Sequence, residues 1–207
     1  MPGLPPANTI QGLPDEEKCK VIDTLFEHSP VLHSITLPIL SHHTFQSYPA
    51  LIAYIGRHLA SMQTDRQVDK LDAILGAHPR LGEKREKVSE LSRREQANLN
   101  SPSPNEQQEQ QTGAAEAENA AQNPTSHRHR GSGNLDGIAS ELQRWNELYE
   151  ARFPGLRYVT FVNSRPREVI IQDMINRIHR GDIDRERSEA ISAICLIAVD
   201  RAGKLDG

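Results

Sequence analysis

Two short polar stretches contain the residue types that acid/base chemistry requires. The first places His78 before Pro79, and the second contains Ser92, Glu95 and Gln96. Histidine titrates closest to neutral pH, and a neighbouring carboxylate can set its tautomer or stabilise its charged form. An inward-facing imidazole, hydroxyl, carboxylate and amide within one short span therefore predict a small polar pocket with a titratable acid/base.

The hydrophobic pattern predicts that His78 faces the interior near the end of a helix. It lies at helical spacing from three apolar residues, Leu71, Ile74 and Leu75. Because Pro79 lacks an amide donor and disfavours helical geometry in the residue before it, the helix should end near His78. The alternative for His78 alone is a core histidine bonded to a carbonyl group.

A second helix over about residues 88–99 would carry the other stretch. Ser92 and Glu95 would then share its apolar face, with Gln96 beside them. Glu95 taken alone would be an ordinary, partly exposed carboxylate.

The last predicted helix, from about Asp184 to Leu205, has a charged residue on its apolar stripe. Arg201 occupies a position where an aliphatic residue is expected. A guanidinium near the core needs an anion or several acceptors, because an unpaired buried charge is very costly. Two explanations stay open for Arg201, a structural salt bridge and an anionic substrate.

One segment of the chain is predicted to be extended. It consists of Tyr158, Val159, Thr160, Phe161 and Val162, which are β-branched or aromatic and too few for a normal helix. A single extended segment forms no sheet, so its amide and carbonyl groups need other partners. A bound polar ligand could be one of these partners.

The other apolar patterns predict helices from Asp15, over about residues 45–62, from about residue 134, and over about 167–179. In the region of residues 31–40 we expect a short helix that ends before Pro38. The helix over 167–179 should bury Val169, Ile170, Met174 and Ile178.

Length and composition favour one globular domain with two flexible parts. The chain has 207 residues and is only 36% hydrophobic. Residues 1–14, with four prolines and two glycines, are expected to be extended and flexible. Residues about 101–133 contain no aromatic residue and no aliphatic one larger than alanine, which predicts a disordered insertion in a domain spanning 15–207.

The charge and the absence of special motifs exclude several classes of function. The net charge of −4 gives no attraction to nucleic acid or to an anionic membrane, and no apolar run approaches the roughly 18 residues that span a bilayer. Cys19 and Cys195 lie on apolar stripes without metal-ligand spacing, and the nine histidines form no zinc pattern. We therefore expect no bound metal and buried free thiols.

Four motifs and their order resemble one known family, the 2-oxo-4-hydroxy-4-carboxy-5-ureidoimidazoline (OHCU) decarboxylases of uric acid degradation. The motifs are Phe26-Glu27-His28-Ser29-Pro30, Ala77-His78-Pro79-Arg80-Leu81-Gly82, Ser92-Arg93-Arg94-Glu95-Gln96 and the run NELYEARF from Asn146 to Phe153. The extended segment and the Arg201 helix follow in their expected places. The resemblance covers about residues 15–205 apart from the insertion, which is longer than usual in the family.

The resemblance implies an all-α, single-domain helical bundle that needs no cofactor, is commonly a homodimer, and releases CO2 to leave (S)-allantoin. It matches His78 to the catalytic acid/base and Glu95 to its partner carboxylate. We expect His78 to titrate near neutrality. The implied substrate contacts are Pro79, Ser92, Gln96, Tyr158, Val159, Thr160, Phe161, Val162 and Arg201.

Two other functions stay open at this stage. The chain could be a helical interaction module whose polar face binds a partner, or a protein of the same fold that acts on a related heterocyclic acid. The C-terminal residues differ from the Ser-Lys-Leu peroxisomal signal that some family members carry. We therefore expect a cytoplasmic protein, with peroxisomal entry by another route left open.

Overall fold

The computed structural model of the protein describes residues 3–82, 90–95 and 133–205, with Glu95 and residues 133–139 described as backbone only. In this part of the chain the regular structure is helical and includes no β-strand, which confirms the prediction of an all-α fold. The elements are a 3-10 helix Ala7–Gly12 and the α-helices α1 (Asp15–Phe26), α2 (Pro30–His42), α3 (Tyr48–Thr64), α4 (Val68–Leu75), α5 (Glu90–Glu95), α6 (Gly133–Arg152), α7 (Arg167–Arg180) and α8 (Ile183–Leu205).

Helix α8 lies at the centre of the bundle. It packs along α3 and α1 and also contacts α4, while α6 packs against α7. Gly56 allows α3 to approach α8, because a Cβ atom there would lie 2.8 Å from the Sγ atom of Cys195. The buried apolar residues form one continuous core, to which α3 contributes Leu51, Ile52, Ile55 and Leu59.

The N-terminal residues are packed against the bundle. Residues Ala7–Gly12 form a 3-10 helix, and Ile10 is only 1% exposed. The Leu4 amide donates to the Leu205 carbonyl at 3.3 Å, and the Tyr48 hydroxyl donates to the Pro5 carbonyl. The prediction of an extended segment is therefore wrong for residues 7–12, because burial of Ile10 gives this short helix a hydrophobic anchor.

Two further expectations about the helices are wrong. Helix α2 continues through Pro38, because Leu32, Thr36 and Leu40 on both sides of it are fully buried, and this packing outweighs the missing hydrogen bond. In α7, Ile170 and Met174 are buried as predicted, but Val169 is 49% exposed.

The predicted insertion at 101–133 lies outside the described residues, except that Gly133 begins α6. None of the helices in the described part of the chain combines the length and apolar character needed to cross a membrane.

Candidate active site

His78 lies just beyond the C-terminus of α4 and faces inward, as predicted. Its side chain is buried, with 8% of the residue exposed, and its amide donates to the Leu75 carbonyl at 3.4 Å. Gly76 ends α4 against the turn that follows α6, because a Cβ atom there would lie 2.6 Å from the Gly155 carbonyl oxygen. This close approach brings the loop that carries His78 next to the predicted extended segment.

The loop around His78 is held by polar side chains. Arg157 donates from Nη1 to the His78 carbonyl at 3.1 Å, and Asn146 donates from Nδ2 to the Leu81 carbonyl at 2.9 Å. The Arg80 guanidinium forms two hydrogen bonds with the Glu150 carboxylate, the Nε bond being 2.6 Å long. Asn146 and Glu150 belong to the NELYEARF motif, so that motif serves to fix the backbone of the histidine loop.

The loop faces a small pocket of about 120 Å³. Its walls include His78, Pro79 and the whole predicted contact segment. The lining residues are His78, Pro79, Leu81, Arg94, Tyr158, Val159, Thr160, Phe161, Val162, Asn163, Ser164, Ile197, Asp200 and Lys204. Ser92 and Arg201 do not line it, whereas the Glu95 side chain and Gln96 lie outside the described part of the chain.

Residues 158–162, predicted to be extended, form neither a helix nor a sheet strand in the structure. Three of their carbonyl groups bind arginine side chains. The Val159 oxygen accepts from Arg177 Nη1 at 3.2 Å, the Phe161 oxygen from Arg165 Nη2 at 2.5 Å, and the Val162 oxygen from Arg165 Nε at 3.3 Å. None of the five backbone N–H groups donates to an acceptor among the described residues. This part of the pocket wall therefore offers hydrogen-bond donors to a polar ligand.

A buried ion pair joins the other predicted residues to one that the sequence analysis did not assign to the site. Arg201 is 1% exposed and donates from Nη2 to Glu27 Oε1 at 2.7 Å and to Ser92 Oγ at 2.8 Å. Ser92 in turn donates to Glu27 at 2.6 Å, and Arg201 Nη1 donates to the carbonyls of Thr24 and Leu25. Of the two explanations for Arg201, the structure shows the salt bridge within the protein.

Glu27 reaches this cluster through an unusual backbone conformation. It connects α1 to α2 with φ 73° and ψ 159°, a region that is almost exclusive to glycine and costs about 1–3 kcal/mol for other residues. The conformation is retained because the carboxylate is paired on one side and Ser29 caps α2 on the other, accepting from the Leu32 amide. The sequence signal for Glu27 is its place in the motif Phe26-Glu27-His28-Ser29-Pro30.

The electrostatic environment keeps the His78 imidazole neutral. Burial lowers the pKa of His78 most, the positive charges of Arg201 and Arg157 lower it further, and the Glu27 carboxylate opposes them, with a resulting pKa of about 4. The expectation that His78 titrates near neutrality is therefore wrong for the protein without ligand. The imidazole Nδ1 is buried and has no hydrogen-bond partner among the described residues.

The pKa of Glu27 moves in the direction that keeps its charge. Burial by itself raises the pKa of this carboxyl group, but the charge of Arg201 and hydrogen bonds from Ser92 and Arg201 outweigh burial and lower the pKa below 4.5. The site thus contains a charged carboxylate and guanidinium behind a neutral imidazole.

The depressed pKa of His78 predicts that the protein loses stability in mild acid. An unfolded histidine binds a proton near pH 6.5, whereas His78 in the folded protein does so only near pH 4. Between these values the unfolded state binds more protons, so stability falls as the pH is lowered. From pH 7 to pH 5, urea unfolding should show that the wild type loses about 2 kcal/mol more than a His78→Asn variant. Equal losses in the two proteins would contradict the low pKa.

One group of possible metal ligands lies away from the pocket in the described structure. Asp23, His28 and His33 at the α1–α2 turn bring their ligand atoms within 4.8 Å of one another. Both imidazoles are hydrogen-bonded to the Asp23 carboxylate, at 3.0 Å from His28 and 2.5 Å from His33. None of the three residues lines the pocket next to His78.

The fold and the site define a class of protein: a helical bundle in which a neutral, buried imidazole borders a polar pocket, as acid/base catalysis on a small molecule requires. The family model described as OHCU decarboxylase matches residues 11–118 and 111–203, so the chain belongs to the OHCU decarboxylase family. A search of curated protein sequences found no significant match. Family membership supports a carboxy-lyase role in purine degradation.

Proposed function

We propose that the protein converts OHCU to (S)-allantoin and CO2 in uric acid degradation, by acid/base catalysis with His78 and without a cofactor. The observation that carries this proposal is the buried, neutral His78 in the wall of a pocket that residues 158–162 also line. Membership of the decarboxylase family supplies the substrate class.

The reaction requires two things of the protein. It must orient the carboxylate that leaves as CO2, and it must deliver a proton to one face of the ring. When the bond between the ring carbon and the carboxylate breaks, CO2 leaves and a neighbouring carbonyl or imine accepts the electron pair. The neighbouring ring carbon, which bears the ureido group, must then take up a proton on one face, while the hydroxyl on the decarboxylated carbon loses its proton and becomes a carbonyl; this protonation creates the stereocentre of allantoin. Because the intermediate also decays slowly and without selectivity, the enzyme must supply stereoselectivity as well as rate.

His78 is suited to transfer this proton. A neutral imidazole first accepts a proton from the substrate, and the resulting imidazolium, whose low pKa makes it a strong acid, returns a proton to the carbon. The resemblance assigns Glu95 as the partner of His78. In our proposal that carboxylate or the substrate itself supplies the missing partner of the imidazole.

In this proposal, the groups that line the pocket bind the substrate. The N–H groups of residues 158–162 would donate to the carbonyl oxygens of the ring and the ureido group, with Pro79 against the ring. The family resemblance implies Gln96 as a further ring contact. Arg94 and Lys204 provide positive charge for the carboxylate, although each also pairs with a carboxylate four residues earlier. We assign Ser92 and Arg201 to the buried cluster behind His78.

A chiral assay tests the reaction. Two preceding enzymes generate the intermediate from urate, the protein is added, and circular dichroism follows the allantoin that forms. We expect the signal of the (S) enantiomer to appear well before it does in the control without protein. A slow, racemic product that matches the control would contradict the proposal and would favour the interaction module. Sedimentation of the purified protein alone tests for the proposed homodimer.

A further inference from the structure

A buried polar network contacts residues 158–162, the pocket segment, through Arg177. Its centre is Glu186 of α8, which is 0% exposed. Arg177 of α7 donates from Nε to Glu186 Oε1 at 2.7 Å and forms a second contact from Nη2, while Tyr149 donates its hydroxyl to the same oxygen at 2.6 Å. The two charges are thus buried and paired with each other.

The remaining nitrogen of this guanidinium binds the pocket segment. Arg177 Nη1 donates to the Val159 carbonyl at 3.2 Å, and the guanidinium carbon lies 4.7 Å from the centre of the Tyr158 ring. Tyr158 is fixed in turn by a hydrogen bond from its hydroxyl to Asp173. One arginine therefore connects α8 to two successive residues of the segment.

The contact with Val159 determines the direction of the next amide. The Val159 carbonyl and the Thr160 N–H belong to one planar trans peptide unit, in which the two groups point in opposite directions. Arg177 binds the Val159 carbonyl oxygen and does not itself line the pocket. The Thr160 N–H therefore points away from Arg177. Thr160 lines the pocket, and its N–H has no acceptor among the described residues.

Stability alone is a weak reason for such an ion pair. Replacing buried charged pairs by apolar residues is often neutral or stabilising, since the charges lose their hydration. A planar guanidinium, however, can hold two acceptors in a fixed relative orientation, which a lysine cannot do. The geometry is therefore explained better by orientation of the segment than by a gain in stability.

We propose that Arg177, held by Glu186, is a positioning residue that aims the Thr160 N–H into the pocket as a hydrogen-bond donor to a substrate oxygen. This inference rests on the proposed function for the identity of the ligand. Since the N–H group would bind the substrate oxygen equally in the ground state and the transition state, its loss affects KM rather than kcat.

The test is the Arg177→Lys variant, which keeps a positive charge beside Glu186 but removes the planar guanidinium group. We expect KM for the intermediate to rise about tenfold, with kcat within about twofold of the wild type. Mass-spectrometric hydrogen exchange on the protein without substrate should show faster exchange of the amides in residues 158–162.

Arg187→Lys is the matched control. Arg187, which lies on α8, is likewise a buried arginine, and it binds both oxygens of Asp72 at 2.8 Å. Among the described residues it makes no hydrogen bond to the segment 158–162. A similar loss of thermal stability with unchanged KM and unchanged exchange in 158–162 is expected for this variant.

Two outcomes would overturn the inference: a folded Arg177→Lys protein with the wild-type KM, or equal rises of KM in the two lysine variants. If Arg177→Lys does not fold, Glu186→Gln tests the same contact, because Asp173 and Glu189 lie 3.5 Å and 3.3 Å from Arg177 and keep it counter-charged. Absence of turnover in the wild type would refute the proposed function instead, and hydrogen exchange would still decide whether Arg177 orders the segment.

Discussion

Replacing His78 by alanine should lower kcat by about two to four orders of magnitude and leave the protein folded. General acid/base catalysis by a positioned side chain contributes a factor of this size. His78 is the imidazole that borders the described pocket, and the carboxylate of Asp200 in the same wall is engaged by Lys204. The fold should tolerate the change, because the buried Nδ1 makes no hydrogen bond to the described residues.

Steady-state kinetics and thermal unfolding check this result together. The control is His58→Ala, since His58 is an exposed histidine on α3. We expect this variant to retain wild-type kcat and melting temperature. If His78→Ala retains normal turnover, the proton transfer belongs to another group and the proposed mechanism is wrong.

The position of His78 could be predicted from the sequence because it depends on local effects. Helical spacing from Leu71 to His78 sets the direction of the side chain, and Pro79 sets the end of the helix. The extended segment is similar, since β-branched and aromatic residues with no partner strand predict unpaired backbone groups. Both features follow from short stretches of chain.

The partners of the buried charges could not be predicted in this way. The position of Arg201 on an apolar stripe showed that it needs an acceptor, but Glu27 lies 174 residues away in sequence. The backbone conformation that turns Glu27 inward is unfavourable in itself and is held by tertiary contacts. Sequence pattern therefore identifies a residue that needs a partner, and only the fold identifies the partner.

Packing also overrides local preference at particular positions. Pro38 should break a helix, but burial of its neighbours keeps α2 continuous. Val169 has the spacing of a buried residue, but it is 49% exposed although Arg167 and Ile170 in the same turn of α7 are buried. Periodicity gives the helix its apolar face and leaves open how far the neighbouring elements cover it.

Glu27 and Arg201 have opposite effects on His78. Arg201 lowers the pKa of the imidazole and Glu27 raises it, so the ion pair affects the electrostatic potential at the proposed acid/base without lining the pocket. Ser92 connects the two charges and comes from α5, which also supplies Arg94 to the pocket. In the proposed mechanism, stability and proton transfer therefore depend on the same buried cluster.

Glu27→Gln should destabilise the protein by about 3–5 kcal/mol, the usual cost of removing one partner of a buried ion pair. The Arg201 guanidinium, 1% exposed, would lose the carboxylate to which it binds at 2.7 Å. Urea unfolding at pH 7 measures the change. Arg201→Met should cost a similar amount, because it removes the charge that stabilises the buried Glu27 carboxylate.

The double variant Glu27→Gln/Arg201→Met separates the ion pair from simple loss of packing. If the two charges stabilise each other, the double variant should be less destabilised than the sum of the single variants, by about 2 kcal/mol or more. Glu17→Gln is the control, since the Glu17–Lys20 pair is exposed and its loss should leave the unfolding free energy nearly unchanged. Strictly additive effects at Glu27 and Arg201 would show that the buried pair acts through packing alone, and Glu27 would then have no electrostatic role behind His78.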